Sequence, residues 1–285
     1  QYMKKIVIVT DTWHPQINGV IRSIEEVSNF LRDKGFEVTI IHPGIFHTMP
    51  LAFYPEIRLA FFSRHKIKKI IEDNKPDYIH IATEGPLGLS VRAVCLKKNI
   101  KFTTSYHWNF PYYIEHYIRA KISLLSDLAY SYFRWFHNAG DRIMVSSEGL
   151  RKELERHNFN NIVVSPLGVN TKLFIRNSDP ALKRKYSFLS PVFVYFGRLA
   201  KEKNIEEFLK YNLPGTKLII GDGPQKQELE KKYNNSAVFV GWKKGKELVD
   251  LLSVSDVFVF PSQTETFGLT IIEALACGIP VAAHK

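Results

Sequence analysis

The sequence predicts an α/β protein in two parts, each a parallel sheet covered by helices. Three observations carry this reading: short, mainly apolar runs alternate with amphipathic helical patterns, the alternation recurs in both halves, and a turn-rich segment separates them. Runs that are apolar at most positions, without alternation, suit strands buried on both faces, as in parallel sheets.

In the first half the expected strands are Ile6–Val9, Val38–Ile41, Tyr78–Ala82, Phe102–Ser105 and Ile143–Ser146. Val20, Ile24, Val27, Phe30 and Leu31 share one helical face, which stops at Lys34-Gly35. A helix after Pro86 carries Leu89, Ala93 and Leu96, and Ser147 caps another over Glu148–Arg156. In the second half strands are expected at Val192–Phe196, Lys217–Ile220, Val238–Val240, Val257–Phe260 and Pro280–Ala283, with helices near 202–211, 224–233, 245–253 and 268–277. PLGVNTKLFIRNSDP, between the halves, is rich in turn formers. The expectation is two Rossmann-like domains, residues 1–170 and 171–285, facing a cleft.

A chain of 285 residues, 45% of them hydrophobic, can bury two cores. Its two cysteines, Cys95 and Cys277, each lie in an apolar helical pattern and read as reduced, buried thiols of a cytosolic protein. KKIVIVTD ends its apolar run at an acid and reads as a strand rather than a signal peptide; Met3, after Gln1 and Tyr2, reads as the native start. No run approaches the roughly 20 apolar residues that span a bilayer. A net charge of +11 suits nucleic acid, anionic headgroups or nucleotide phosphates. No zinc spacing or RNA-binding aromatic motif favours nucleic acid, which is not expected as a partner. From 112 to 136, Tyr113, Tyr117, Tyr130, Tyr132, Phe133, Trp135 and Phe136 alternate with Arg119, Lys121 and Arg134. Two readings stand: a helix packed on its own domain, or a surface that dips into an anionic membrane, placing the protein peripherally at the inner face.

Charged residues gather where strands end. Gly197-Arg198 follows Val192–Phe196, and a cation there points toward the ligand-binding edge of a parallel sheet. Lys203 sits near the start of the next helix, where unpaired amides favour anions, while Lys201 reads as solvated charge. In PSQTETFGLTIIEALACGIPV a strand gives way to a loop, Pro261–Phe267, and a helix from Gly268. Glu265 precedes that helix, and Glu273 lies within it among Ile271, Ile272, Ala274, Leu275 and Ala276, where a carboxylate needs a partner or a ligand. The amides of Thr266, Phe267, Gly268 and Leu269 can receive phosphate or sugar oxygens. Gly19 opens the first helix and permits close approach to a phosphate, or is a plain turn. Gly221-Asp222-Gly223-Pro224 is similarly open between phosphate contact and turn. His107, beyond Phe102–Ser105, is either a core histidine or a contact to a bound sugar.

Together these residues resemble family 4 of the retaining glycosyltransferases, of GT-B fold, over essentially the whole chain. ETFGLTIIE matches the family's two glutamates with seven residues between them, and GRLAKEKN its Arg-and-Lys diphosphate motif. DTWHPQINGVIRSI, YPEIRLA, HIATEGPLGLSVR, TTSYHWNFPYY and PLGVNTKLF look closest to the GDP-mannose-dependent alpha-mannosyltransferases, near the bacterial glycolipid glycosyltransferases. The resemblance implies transfer of a hexose from GDP-mannose or a UDP-hexose to an acceptor hydroxyl of a lipid or glycan, with no cofactor and no metal. It implies that Arg198 and Lys203 hold the diphosphate with an amide from Gly19. Glu273 would bind ribose, Glu265 and the following amides the donor hexose, and His107 would lie near the reacting sugar. Retention would proceed by front-face attack, the leaving diphosphate helping to deprotonate the acceptor. Family members usually continue past the equivalent of PVAAHK, so a second domain shortened at its C-terminus is expected. A nucleotide-sugar epimerase of the same fold, or a binder without turnover, are the alternatives.

Overall fold

Lys5–Val9 (β1) is flanked on one side by Glu37–Ile41 (β2) and on the other by Tyr78–Ile81 (β5), and every pairing is parallel. Thr103–Tyr106 (β6), Arg142–Val145 (β7) and Ile162–Val164 (β8) complete a six-stranded sheet, β2-β1-β5-β6-β7-β8. Met49–Leu51 (β3) and Tyr54–Leu59 (β4) form a separate antiparallel hairpin. Among the described residues the helices of this part are Gly19–Asp33 (α1), Arg64–Asn74 (α2), Pro86–Lys98 (α3), Ser123–His137 (α4) and Glu148–Arg156 (α5). The structure, a computed structural model, describes residues 3–16, 18–51, 54–61, 63–107, 123–263, 265 and 267–284, apart from the side chains of 51, 54–57, 123 and 124. It divides into two units, Gln1–Leu167 and Gly168–Lys285.

Local chemistry sets the helix ends. Asn18 Oδ1 accepts the Ile21 N–H at 3.0 Å to start α1, and Ser147 Oγ accepts the Leu150 N–H at 3.2 Å to start α5. Helix α3 has Pro86 in its first turn, and its cap comes from another loop. Asp11, just past β1, accepts the amides of Leu87 at 2.7 Å and Gly88 at 3.3 Å, and the Thr83 hydroxyl at 2.9 Å. The core beneath joins Val7, Val9, Ile79, Ile81, Leu87, Val91 and Phe136.

The second unit holds Val192–Phe196 (β9), Thr216–Ile220 (β10), Val238–Gly241 (β11), Val257–Phe260 (β12) and Val281–Ala283 (β13), in the order β11-β10-β9-β12-β13. Its helices are Pro180–Tyr186 (α6), Ile205–Lys210 (α7), Lys226–Tyr233 (α8), Gly245–Ser253 (α9) and Leu269–Ala276 (α10). Val194, Phe196, Leu218, Ile220, Leu252 and Phe258 form its core. Both units are thus Rossmann-like. The segment expected only to connect them also contributes to this core: Phe174 is buried there, and the Asn177 amide donates to Ser253 Oγ at 2.8 Å.

Of the aromatic and cationic segment, residues 112–122 lie outside those described; the remainder is α4. Tyr130 stacks on His157 with ring centres 3.5 Å apart, and Phe136 is fully buried. Arg92 donates to the carbonyls of Trp135 and Phe136 and lies 3.8 Å from the centre of the Trp135 ring. For Tyr130 and Phe136, packing on their own domain therefore replaces any membrane role. Leu125, Leu128, Tyr132 and Trp135, spaced at three and four residues, remain exposed on one face. Among the described residues no helix is long and apolar enough to cross a membrane.

Candidate functional site

In the second unit, β9 and β12 are neighbours, and the strand order reverses at β9. Such a reversal leaves space beyond the C-terminal strand ends, where α/β folds take ligands. Arg198 leaves the end of β9, and the loop to Glu265 leaves the end of β12. Three side-chain contacts tie these two segments together. Ser262 Oγ donates to the Glu202 carbonyl at 3.3 Å, and Asn204 Nδ2 approaches the Pro261 carbonyl at 3.5 Å. Lys203 Nζ lies 2.5 Å from Glu265 Oε2.

The Gly221 and Gly223 loop supports this arrangement from the other side. A Cβ on Gly221 would lie 2.0 Å from the Gly197 carbonyl oxygen, and one on Gly223, at φ +152°, would lie 2.5 Å from that of Leu199. The Leu199 amide in turn donates to the Asp222 carbonyl at 2.8 Å. These glycines let two strand-end loops touch backbone to backbone.

Arg198 stands 3.9 Å from Glu202, and its carbonyl accepts the Tyr195 hydroxyl at 2.9 Å. A short 3-10 turn, Lys201–Lys203, precedes α7, so Lys203 lies two residues before the helix rather than in its first turn. Gly268, at φ +78°, precedes α10, which Leu269 opens; Thr266 lies outside the described residues. Phe267 is half-buried. Glu273 is only 3% exposed on α10, and burial, followed by its charge, pushes the Cys277 thiol up to about 11. Two cations, a carboxylate paired with one of them and a helix N-terminus can together hold an anion joined to a polyol.

In the first unit Gly19 is the exposed first residue of α1. His107 follows β6, and burial lowers its pKa against the opposing charge of Glu84. The sequence reading missed the polar system around it. Glu84 Oε1 lies 3.0 Å from Nε2 of the buried His137, whose Nδ1 lies 2.8 Å from Thr104 Oγ1. His80 contacts Thr103 and Ser105, each at 2.9 Å, and burial pulls its pKa down to about 3, which keeps it neutral. Of these residues only His80, which interrupts the otherwise apolar β5, carries a signal in the sequence.

Residues 17–173 match the family described as Glycosyltransferase Family 4, and residues 182–285 match Glycosyl transferases group 1. The chain belongs to glycosyltransferase family 4. Its relatives include the sulfoquinovosyl transferase of Arabidopsis thaliana, 28% identical over 94% of this chain and 57% of that protein. A GDP-mannose-dependent alpha-mannosyltransferase of Mycobacterium tuberculosis is 26% identical over 98% of this chain and 78% of its own length. The alpha-monoglucosyldiacylglycerol synthase of Acholeplasma laidlawii is 28% identical over 97% and 79%. The chain thus spans little more than half of the first of these relatives and more than three quarters of the other two. A solved sucrose-phosphate synthase from Thermosynechococcus elongatus superposes with a TM-score of 0.77 at 20% identity, covering 98% of this chain and 81% of that one. The fold of this family 4 chain is therefore GT-B, with two Rossmann-like domains.

Proposed function

We propose that this protein transfers a hexose from a nucleoside-diphosphate sugar to an acceptor hydroxyl of a lipid or glycan, with retention of anomeric configuration. The observation that carries the reading is the grouping of Arg198, Lys203 and Glu265 on two tied loops at the strand-order reversal of the second unit. Negative charge develops on the leaving diphosphate during transfer, and Arg198 and Lys203 supply cations for it. Glu265 and the amides at the start of α10 bind the hexose, while Glu273 binds ribose. His107, whose pKa burial lowers, contacts the reacting sugar as a polar group. The relatives' printed names, GDP-mannose-dependent and glucosyldiacylglycerol-forming, support a nucleotide-sugar donor and a lipid acceptor. The exposed stripe of α4 and the net charge of +11 support peripheral contact with anionic membrane.

Thermal melting with GDP-mannose, UDP-glucose, UDP-galactose and the free nucleotides tests the donor. A ligand of the native state raises the melting temperature, and one nucleotide sugar should do so beyond its nucleotide alone. No shift with any of them, in a folded protein, would reject the reading.

A further inference from the structure

In the first unit, β5 and β6 run side by side in parallel, with Ile81 opposite Thr104. Carried three residues on in each chain, past the C-terminal strand ends, this register sets Glu84 abreast of His107. Glu84 is held from two sides. From α4, the Tyr132 hydroxyl donates to its carbonyl at 2.7 Å, and Nε2 of His137 lies 3.0 Å from its Oε1. Nδ1 of His137, whose side chain has no exposed surface, is 2.8 Å from Thr104 Oγ1, so that ring is fixed at both nitrogens. Beyond β1, Asp11 packs against the residue after Glu84: a Cβ on Gly85 would lie 2.5 Å from its Cγ. Arg92 of α3 donates to the carbonyls of Trp135 and Phe136 at 2.9 and 3.1 Å, which anchors the last turn of α4, where His137 sits.

A carboxylate fixed in this way acts on what lies beside it. The Glu84 side chain is only 17% exposed, so water screens its charge weakly. Among the described residues, Glu84 from the loop after β5, His137 from α4 and His80 on β5 interact electrostatically with His107. Burial lowers the pKa of His107; the charge of Glu84 opposes this, and His137 adds to it. His80 is buried and neutral, while Asp11 and Tyr132 act on Glu84. Glu84 is therefore the anionic group of this set. A carboxylate beside an imidazole fixes its tautomer and ring orientation and favours its proton. We propose that Glu84 is a positioning residue for the transfer: acting through His107, it orients and polarises the imidazole that contacts the reacting sugar. The inference rests on the transferase reading and adds a residue to it. A glutamate that served only to anchor His137 would leave His107 as it was, which separates positioning from a structural role.

Glu84→Gln in the full chain tests it, because the change keeps the side-chain volume and an acceptor for His137 while removing the charge. The NMR titration of the His107 ring, assigned by its loss in His107→Asn, should move to lower pH in Glu84→Gln. Turnover of the nucleotide sugar that raises the melting temperature should fall about 10- to 100-fold where chemistry limits the rate. Affinity for that nucleotide sugar should stay within about twofold of wild type, since the loss is in positioning rather than in binding. Glu84→Asp, a carboxylate one methylene shorter, should fall between wild type and Glu84→Gln, and it gives the same reading if Glu84→Gln does not fold. Melting within a few degrees of wild type shows that a variant is folded. A His107 titration that stays in place in a folded variant, or turnover equal to wild type, would overturn the proposal and leave Glu84 a structural partner of His137. Absence of nucleotide-sugar binding by the wild type would instead remove the transferase reading, and this proposal with it.

Discussion

Lys203 Nζ and Glu265 Oε2 lie 2.5 Å apart although 62 residues separate them in the chain. The pair joins the β9 loop to the β12 loop, and each side chain is about one quarter exposed (23% and 27%). Two groups proposed for the donor are thus each other's partner. Partly exposed ion pairs contribute little, so Lys203→Ala or Glu265→Ala should each destabilise by less than about 1 kcal/mol. A urea double-mutant cycle measures the coupling. A coupling of several kcal/mol would make the pair a structural strut rather than a set of ligand contacts.

Asp11 gives the first unit a pH dependence. Burial raises its pKa from 3.8 to about 6, outweighing the bonds from Leu87, Thr83 and Gly88 that favour the carboxylate. The folded value lies above the unfolded one, so the folded chain holds the extra proton between them. Its contribution is complete below about pH 3.8 and is lost as pH rises through 6, roughly 3 kcal/mol at most. Urea midpoints should therefore fall between pH 4 and 6.5 in wild type, and this fall should flatten in Asp11→Asn. Equal slopes in the two proteins would place the titration elsewhere.

Two helical glycines should respond in opposite directions. A Cβ on Gly88 would lie 2.1 Å from the Thr83 carbonyl oxygen, a backbone atom that cannot swing away. One on Gly149 of α5 would meet only Ser147 Oγ at 3.9 Å. Gly88→Ala should cost about 1–3 kcal/mol from overpacking, whereas Gly149→Ala should gain up to about 1 kcal/mol through helix propensity. Thermal or urea unfolding checks both.

What the sequence made legible follows burial. β9 and β12 have the expected ends, being apolar at almost every position and bounded by Pro191, Gly197, Asp256 and Pro261. The hairpin was missed because Pro50 and Pro55 argue against strands, and β8 because a three-residue strand with Val163 exposed carries no buried run. In α2 only Ile67 and Ile71 are buried, too sparse a stripe among lysines to register. Glu273 stood out in sequence because its neighbours are apolar. Glu84 and His137 did not, because their pairing belongs to tertiary structure alone.

The exposed face of α4 offers a test of membrane contact that the buried aromatics would have confused. Leu128→Asp should reduce binding to anionic vesicles without unfolding the chain, since Leu128 is 57% exposed. Binding should also rise with anionic lipid content and fall with salt. Unchanged vesicle binding in a folded Leu128→Asp variant would remove α4 from the membrane surface.

The four charged residues of the second unit should separate by what each one loses. Arg198→Ala removes a cation from where leaving-group charge develops and should cost on the order of 10²–10³ in turnover where chemistry limits the rate. Lys203→Ala should do likewise and also weaken free nucleoside diphosphate, because its charge meets ground-state phosphates as well. It also releases Glu265 from its partner, so Lys203→Ala alone mixes two effects. Lys203→Ala/Glu265→Ala separates them: it lacks the released carboxylate, so its diphosphate affinity should exceed that of Lys203→Ala by whatever that charge repels, while its discrimination among hexoses should match Glu265→Ala. Glu273, buried on α10 and proposed for ribose, should behave differently. Glu273→Gln keeps the volume but loses the charge, so it should weaken nucleotide and nucleotide sugar equally. Calorimetry with both ligands reads every arm, even in a protein that turns over slowly. If folded Glu265→Ala and Glu273→Gln variants both bind nucleotide sugar as wild type does, the donor does not occupy the tied loops of β9 and β12.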